Sequence, residues 1–250
     1  MIEKKNHIIK GNGHPLVLLH GLMGGLSNFE SLINFFPKKG FKVIMPLLPI
    51  YNMPLFSTNV FSLSKYVINF LTDIGIKKAT FIGNSLGGHI ALIIAKYRLN
   101  LVHSIVLTGS SGLFEKSFGE SFPKRENYEY IKKKSQEVFY NPKIATKKLV
   151  DDIYSIVNDK RKSIKILYIA RSAIKCNMSK FLCRINKPIC IIWGKQDNIT
   201  PPHVAKLFHK LLPKSDIYWI DRCGHVPMME HPKKFIYILE KWLSKLILIK

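Results

Sequence analysis

The sequence predicts an α/β fold with a mostly parallel central sheet and helices on both faces. Three observations carry that expectation. Short apolar runs alternate with stretches of helical periodicity towards both ends of the chain. The strand candidates are apolar on consecutive residues, the pattern of strands covered on both faces. The chain's 250 residues, 47% hydrophobic, are enough for one domain with a sizeable core.

The elements follow in order. Leu16 to Leu19 reads as a buried strand, with room for one edge strand before it. The lysines ahead of this run mimic a signal peptide, but His20 interrupts the apolar stretch and no small-residue cleavage site follows. Ser27 to Phe36 has helical spacing, with Ser27 as candidate N-cap. Lys42 to Met45 is a second strand, closed by Pro46. Val60 to Ile74 is helical through Leu63, Val67, Phe70 and Leu71, and Gly75 stops it. Ala79 to Gly83 (strand), Leu86 to Tyr97 (helix) and His103 to Thr108 (strand) follow. Near the other end come the strand Ile189 to Trp193, the helix His203 to Leu212, the strand Asp216 to Ile220 and the helix Pro232 to Leu246.

Between these halves, residues 113–186 differ in character. They are Lys-rich and carry helical patterns over Glu126 to Phe139, Lys143 to Asn158 and Lys160 to Met178, with no clear strand. The expected organisation is a core of residues 1–112 and 187–250 with a helical cap, or lid, inserted at 113–186. The whole forms one structural unit.

Charge and cysteine usage narrow the function classes. The net charge of +23 suggests polyanion binding, but it comes from 33 Lys against 6 Arg, while Ile also numbers 33. Lys and Ile share AT-rich codons, and Arg, the residue suited to bidentate phosphate contact, is scarce. A solvated lysine surface with no specific nucleic-acid partner is expected. No run of 18 apolar residues is present to span a membrane. Cys176, Cys183, Cys190 and Cys223 form no C-x-x-C pair, so neither a zinc site nor a disulfide framework is expected. They read as reduced, buried thiols of a cytoplasmic protein.

The chemistry is carried by three strand ends. Gly83-Asn84-Ser85-Leu86-Gly87 fits G-x-S-x-G between a strand and a helix. There a sharp turn strains the serine backbone and presents its hydroxyl beside the N–H groups of a helix N-terminus. His20 to Gly25 follows the first apolar strand. An acyl-transfer site needs two backbone donors for its oxyanion, and the N–H groups of Leu22 and Leu86 are the candidates, with Met23 in reserve. His20 itself reads as a support for this loop. Asp197 lies just past one strand and His225 just past the last. The order Ser85, Asp197, His225 suits a nucleophile whose proton passes to an imidazole held by a carboxylate. Such chemistry requires no metal or organic cofactor.

With these motifs in place, the chain resembles the α/β-hydrolase superfamily over nearly its whole length. The resemblance implies Ser85 as nucleophile, Asp197 as acid, His225 as base and a helical cap over the site. Serine at the elbow separates it from branches that place aspartate there. Gly83-Asn84-Ser85, Gly109 to Leu113, and Cys223-Gly224-His225 with Glu230-His231 resemble the branch that cleaves carbon–carbon bonds in meta-cleavage products. The match departs where Leu22 and Met23 replace glycines of the oxyanion loop. It departs again where Ile153-Tyr154 stands for an arginine–tryptophan pair, and where Val226 stands for a tryptophan. The expected function is therefore a serine hydrolase acting on a carboxylic ester or thioester. Carbon–carbon hydrolysis, or a non-catalytic ligand-binding protein of the same fold, are the alternatives. The aromatic set Phe114, Phe118, Phe122, Tyr128, Tyr130, Phe139 and Tyr140 reads as cap core or as an acyl pocket. The cap lysines favour an anionic or carrier-linked acyl substrate.

Overall fold

The computed structural model describes residues 7–114 and 124–248. Seven strands form one sheet in the order β1-β3-β2-β4-β5-β6-β7. They are β1 (His7–Lys10), β2 (His14–Leu19), β3 (Phe41–Pro46), β4 (Ala79–Asn84), β5 (Val102–Thr108), β6 (Ile189–Gly194) and β7 (Ser215–Ile220). Only the short edge strand β1 runs antiparallel, paired with β3; every other neighbouring pair is parallel.

The two-residue period of a strand explains how these apolar runs serve two cores. In β2, Leu16 and Leu18 point to one face and Val17 and Leu19 to the other. The first pair joins Val43, Met45, Ile82, Val106 and Ile192 under helices α1 (Glu30–Phe35) and α10 (Pro232–Leu248), which contribute Leu32, Phe235, Leu239 and Trp242. The second joins Phe81, Ile105, Leu107 and Ile191. They lie under α2 (Val60–Asp73), α3 (Leu86–Tyr97) and α8 (Pro202–Leu211), which bring Leu63, Val67, Ile90 and Phe208. Consecutive apolar residues thus bury on both faces, as the sequence pattern requires.

Between β5 and β6, among the described residues, the chain forms only helices: α4 (Tyr128–Gln136), α5 (Lys147–Asn158), α6 (Lys160–Lys175) and the short α7 (Ser179–Leu182). Side-chain oxygens of Asn127, Thr146 and Asp159 cap the first three. Ile131, Ile153 and Val157 form a small separate core between α4 and α5. Ile169, Ala173, Met178 and Leu182 instead join the main core, so the segment is packed onto the sheet domain.

Three expectations need correction. Ser27 caps no helix. A 3-10 turn, Leu26–Phe29, precedes α1, and the Asn28 side chain takes the Gly25 N–H instead (2.9 Å). The four cysteines form no disulfide, but Cys183 is exposed and Cys176 half-buried; only Cys190 and Cys223 are buried. The aromatic set does not act as a unit. Phe139 is buried in the core under α10, Tyr128 meets Tyr154 edge-on, and Tyr140 is exposed. Phe118 and Phe122 lie outside the described residues.

Candidate active site

Ser85 sits between β4 and α3 with φ 54° and ψ −119°, a conformation that non-glycine residues avoid. Such strain costs about 1–3 kcal/mol and persists only where the surroundings over-determine it. Here the Ser85 N–H donates to Thr108 O (3.1 Å), and its carbonyl accepts from Gly88, His89 and Ser111 N–H (3.1, 3.3 and 3.2 Å). The tight turn also brings α3 against β2. A Cβ on Gly87 would overlap the Leu19 carbonyl, which is why the second motif glycine is required.

The loop after β2 lies against the same point. A Cβ built on Gly21 would be 3.3 Å from Ser85 Cβ. Gly24 N–H donates to Gly21 O (3.0 Å), closing a turn around Leu22 and Met23. His20 supports this loop as expected. Its Nε2 accepts from Leu48 N–H (3.1 Å), which leaves Nδ1 as the donor to Gly21 O (2.8 Å). Burial lowers its pKa and keeps the ring neutral.

Asp197 and His225 meet directly. His225 Nδ1 lies 3.0 Å from Asp197 Oδ2 and 3.2 Å from Oδ1, and both residues are buried. The carboxylate is further held by the N–H groups of Ile199 and Thr200 on Oδ1 (both 2.9 Å) and by the Thr200 hydroxyl on Oδ2 (2.9 Å). Thr200 Oγ1 also lies 3.2 Å from His225 Nδ1. With Nδ1–H turned to the carboxylate, Nε2 carries the lone pair. The two loops are stitched together by Gln196, whose N–H donates to Cys223 O and whose Oε1 accepts the Cys223 N–H (both 3.0 Å).

Asn84 ties this pair to the serine. Its Nδ2 donates to Thr108 O (3.0 Å) and to His225 O (3.1 Å). Gly109, at φ +52°, packs on the imidazole so closely that a Cβ there would lie 2.7 Å from His225 Nδ1. His225's side-chain hydrogen bonds among the described residues all run through Nδ1, and none reaches Ser85 Oγ. Bonds of this kind are often long in unliganded sites and tighten when substrate binds.

Two contributors went unread in the sequence. Thr200 has no part in the site expected from sequence, and Glu230, which enters only within a motif of the resemblance, has no role there. Glu230 accepts from the N–H groups of Gly224 (2.7 Å), Asn141 (2.6 Å) and Tyr140 (3.2 Å), and His225 N–H donates to Val138 O (2.9 Å). The His225 loop is thereby joined to the helical segment. Among the described residues no His, Cys, Asp and Glu group suited to a metal ion occurs, and no helix is long and apolar enough to cross a membrane.

Comparison with known proteins identifies the family of the fold. The profile of the alpha/beta hydrolase fold family matches residues 14–232. MGS-MChE2, an alpha/beta hydrolase enzyme from a sediment metagenome of the Mar Chica lagoon, Morocco, is 44% identical. The match covers 96% of this chain and 94% of that one, with a TM-score of 0.80. The uncharacterized hydrolase YugF of Bacillus subtilis (strain 168) is 26% identical over 87% of this chain and 85% of its own. A 2-hydroxy-6-oxononadienedioate/2-hydroxy-6-oxononatrienedioate hydrolase of Paraburkholderia phymatum is also 26% identical, over 92% and 87%. With strand order, elbow and profile in agreement, the chain belongs to the alpha/beta hydrolase fold family.

Proposed function

We propose that this protein is a serine hydrolase that cleaves carboxylic esters or thioesters through Ser85, His225 and Asp197. The observation that carries the reading is the buried Asp197–His225 pair beside a serine held at φ 54°. Ser85 Oγ attacks the acyl carbonyl carbon while His225 Nε2 takes its proton. The tetrahedral oxyanion accepts from the N–H groups of Leu86, at the start of α3, and Leu22, in the loop against Ser85. His225 then passes the proton to the leaving alcohol or thiol. Water, deprotonated by His225, cleaves the acyl-enzyme and frees the acid. Asp197 holds the imidazole tautomer and stabilises the imidazolium. Residues 113–186 serve as the cap that shapes the acyl site, and its lysines favour an anionic acyl substrate.

Turnover of a short p-nitrophenyl ester and labelling by a fluorophosphonate test the mechanism together. Ser85→Ala is expected to lower turnover by about a million-fold and to abolish labelling. Loss of one oxyanion donor costs roughly a hundred- to a thousand-fold. Equal ester turnover by wild type and Ser85→Ala rejects the reading. The dienedioate hydrolase among the relatives supports a second reading, carbon–carbon cleavage of a dienone by the same residues. A meta-cleavage dienone assayed beside graded acyl esters separates the two.

A further inference from the structure

We propose that the outer face of α6, with the adjoining 51–61 segment, docks the protein onto an anionic lipid surface. α6 turns Ile166, Ile169, Ala170 and Ala173 inward. At 100° per residue its opposite face gathers Ile164, Leu167, Tyr168 and Ile174 among Lys160, Arg161, Arg171 and Lys175, and all eight are exposed. A solvated helix face is polar; this one is half large and apolar, and otherwise entirely basic. The 51–60 segment runs along its flank. Lys165 Nζ donates to Tyr51 O and Val60 N–H donates to Ser172 Oγ, both at 2.8 Å. Between these ties stands Phe56, 94% exposed. Just beyond, exposed Phe61 meets exposed Tyr97 edge-on.

Charge decides the occupant. No Asp or Glu occurs from Lys160 to Gln196, and Asp73 is the single acidic residue from Ser31 to Phe114. Asp159 caps the start of α6 and pairs with Lys162 (3.8 Å); the other acidic side chains of the described helical segment gather in and around α4 and α5, at Glu126, Glu129, Glu137, Asp151 and Asp152. A second copy of this chain would set like charge against like. Anionic headgroups pair with the cations, and the boundary above the acyl chains takes Phe56, Leu167 and Ile174. The protein then lies on the bilayer surface without spanning it.

Co-sedimentation tests the proposal. Wild type, Phe56→Ser and the double variant Arg161→Ala/Lys175→Ala are mixed with vesicles of phosphatidylserine and phosphatidylcholine in equal parts, and with phosphatidylcholine alone. Wild type is expected to bind the anionic vesicles, less as salt rises. Each variant is expected to weaken partition by about tenfold or more. The altered side chains are exposed, so thermal unfolding stays at the wild-type value, as does turnover of a short uncharged ester, for which the cap lysines have no charge to attract. Equal partition of variants and wild type overturns the proposal, as does equal binding to neutral vesicles. A wild-type dimer that the double variant dissociates also overturns it and gives the face to a second copy. Ester turnover is read separately, so failure of docking and failure of the hydrolase reading are distinguishable.

Discussion

Replacing Thr200 by valine removes one hydroxyl and keeps the shape of the side chain. That hydroxyl donates to Asp197 Oδ2 at 2.9 Å, while Oδ1 is served by two backbone N–H groups. Oδ2 is also the oxygen nearer to His225 Nδ1, at 3.0 Å. Without Thr200 Oγ1 the imidazole is the remaining hydrogen-bond donor to Oδ2 among the described residues, and the carboxylate is held at Oδ1 but less firmly at Oδ2. A hydrogen bond to a charged group contributes about 1.5–3 kcal/mol, and about 1.4 kcal/mol is tenfold in rate. The two backbone donors persist, so the lower end applies. Thr200→Val is expected to reduce kcat for a short ester about tenfold with KM unchanged, and Thr200→Ser to restore it. The assay is steady-state hydrolysis across pH, because a residue acting through the acid–base pair shifts the pH profile as well as its height. If Thr200→Val keeps wild-type kcat and pH profile, Thr200 contributes nothing to positioning the pair, and the reasoning from its hydrogen bonds fails.

Other perturbations reach the scaffold. Gly87→Ala pushes a methyl into the Leu19 carbonyl, an obstacle made of backbone. A loss of about 1–3 kcal/mol is expected in denaturant unfolding, and an unchanged midpoint counts against the close approach. Glu230→Ala strips the acceptor from three backbone N–H groups that join the His225 loop to the helical segment. It is expected to cost about 1–3 kcal/mol, and Glu230→Gln, which keeps an acceptor, to recover part of that in the same unfolding assay. Acid weakens the fold through buried histidines. Burial lowers His89 from its ordinary 6.5 to about 4, and lowers His20 as well. The unfolded chain binds protons that these rings refuse, so stability is full above about 6.5 and falls as pH drops towards 4. His89 alone contributes a slope of about 1.4 kcal/mol per pH unit. Unfolding free energy measured through that window checks the slope, and His89→Gln is expected to flatten it.

The sequence displayed the fold well because its strands are buried on both faces. Runs such as Leu16–Leu19 and Ile189–Trp193 must be covered twice, which calls for helices above and below the sheet. Observed bounds differ from the expected ones by few residues, as with α3, Leu86–Tyr97, and β6, Ile189–Gly194. The start of α1 was misread because Ser27 has cap chemistry, but Asn28 reaches back to Gly25 and builds a 3-10 turn first. The positions of Ser85, Asp197 and His225, the proposed site, were legible because each stands just past a strand, where topology fixes the edge of the sheet. The roles of Thr200 and Glu230 were not, although Glu230 stands in a motif that carries the resemblance. Their roles depend on which backbone groups a folded loop leaves unpaired, and no spacing rule encodes that.

β5 shows the same limit from another side. It carries none of Ser85, Asp197 and His225, yet its last carbonyl, Thr108 O, accepts from both Ser85 N–H and Asn84 Nδ2. Asn84 passes the tie on to His225 O, and Gly109, the next residue of the chain, supplies the surface on which the imidazole lies. The Ser85 turn and the His225 loop are therefore both hung from the end of one central strand, buried on both faces. A strained serine persists in such a place because relaxing φ would break four backbone hydrogen bonds. At about 1 kcal/mol net apiece these outweigh or match the strain. Rigidity of the sheet is in this way converted into the fixed aim of a hydroxyl.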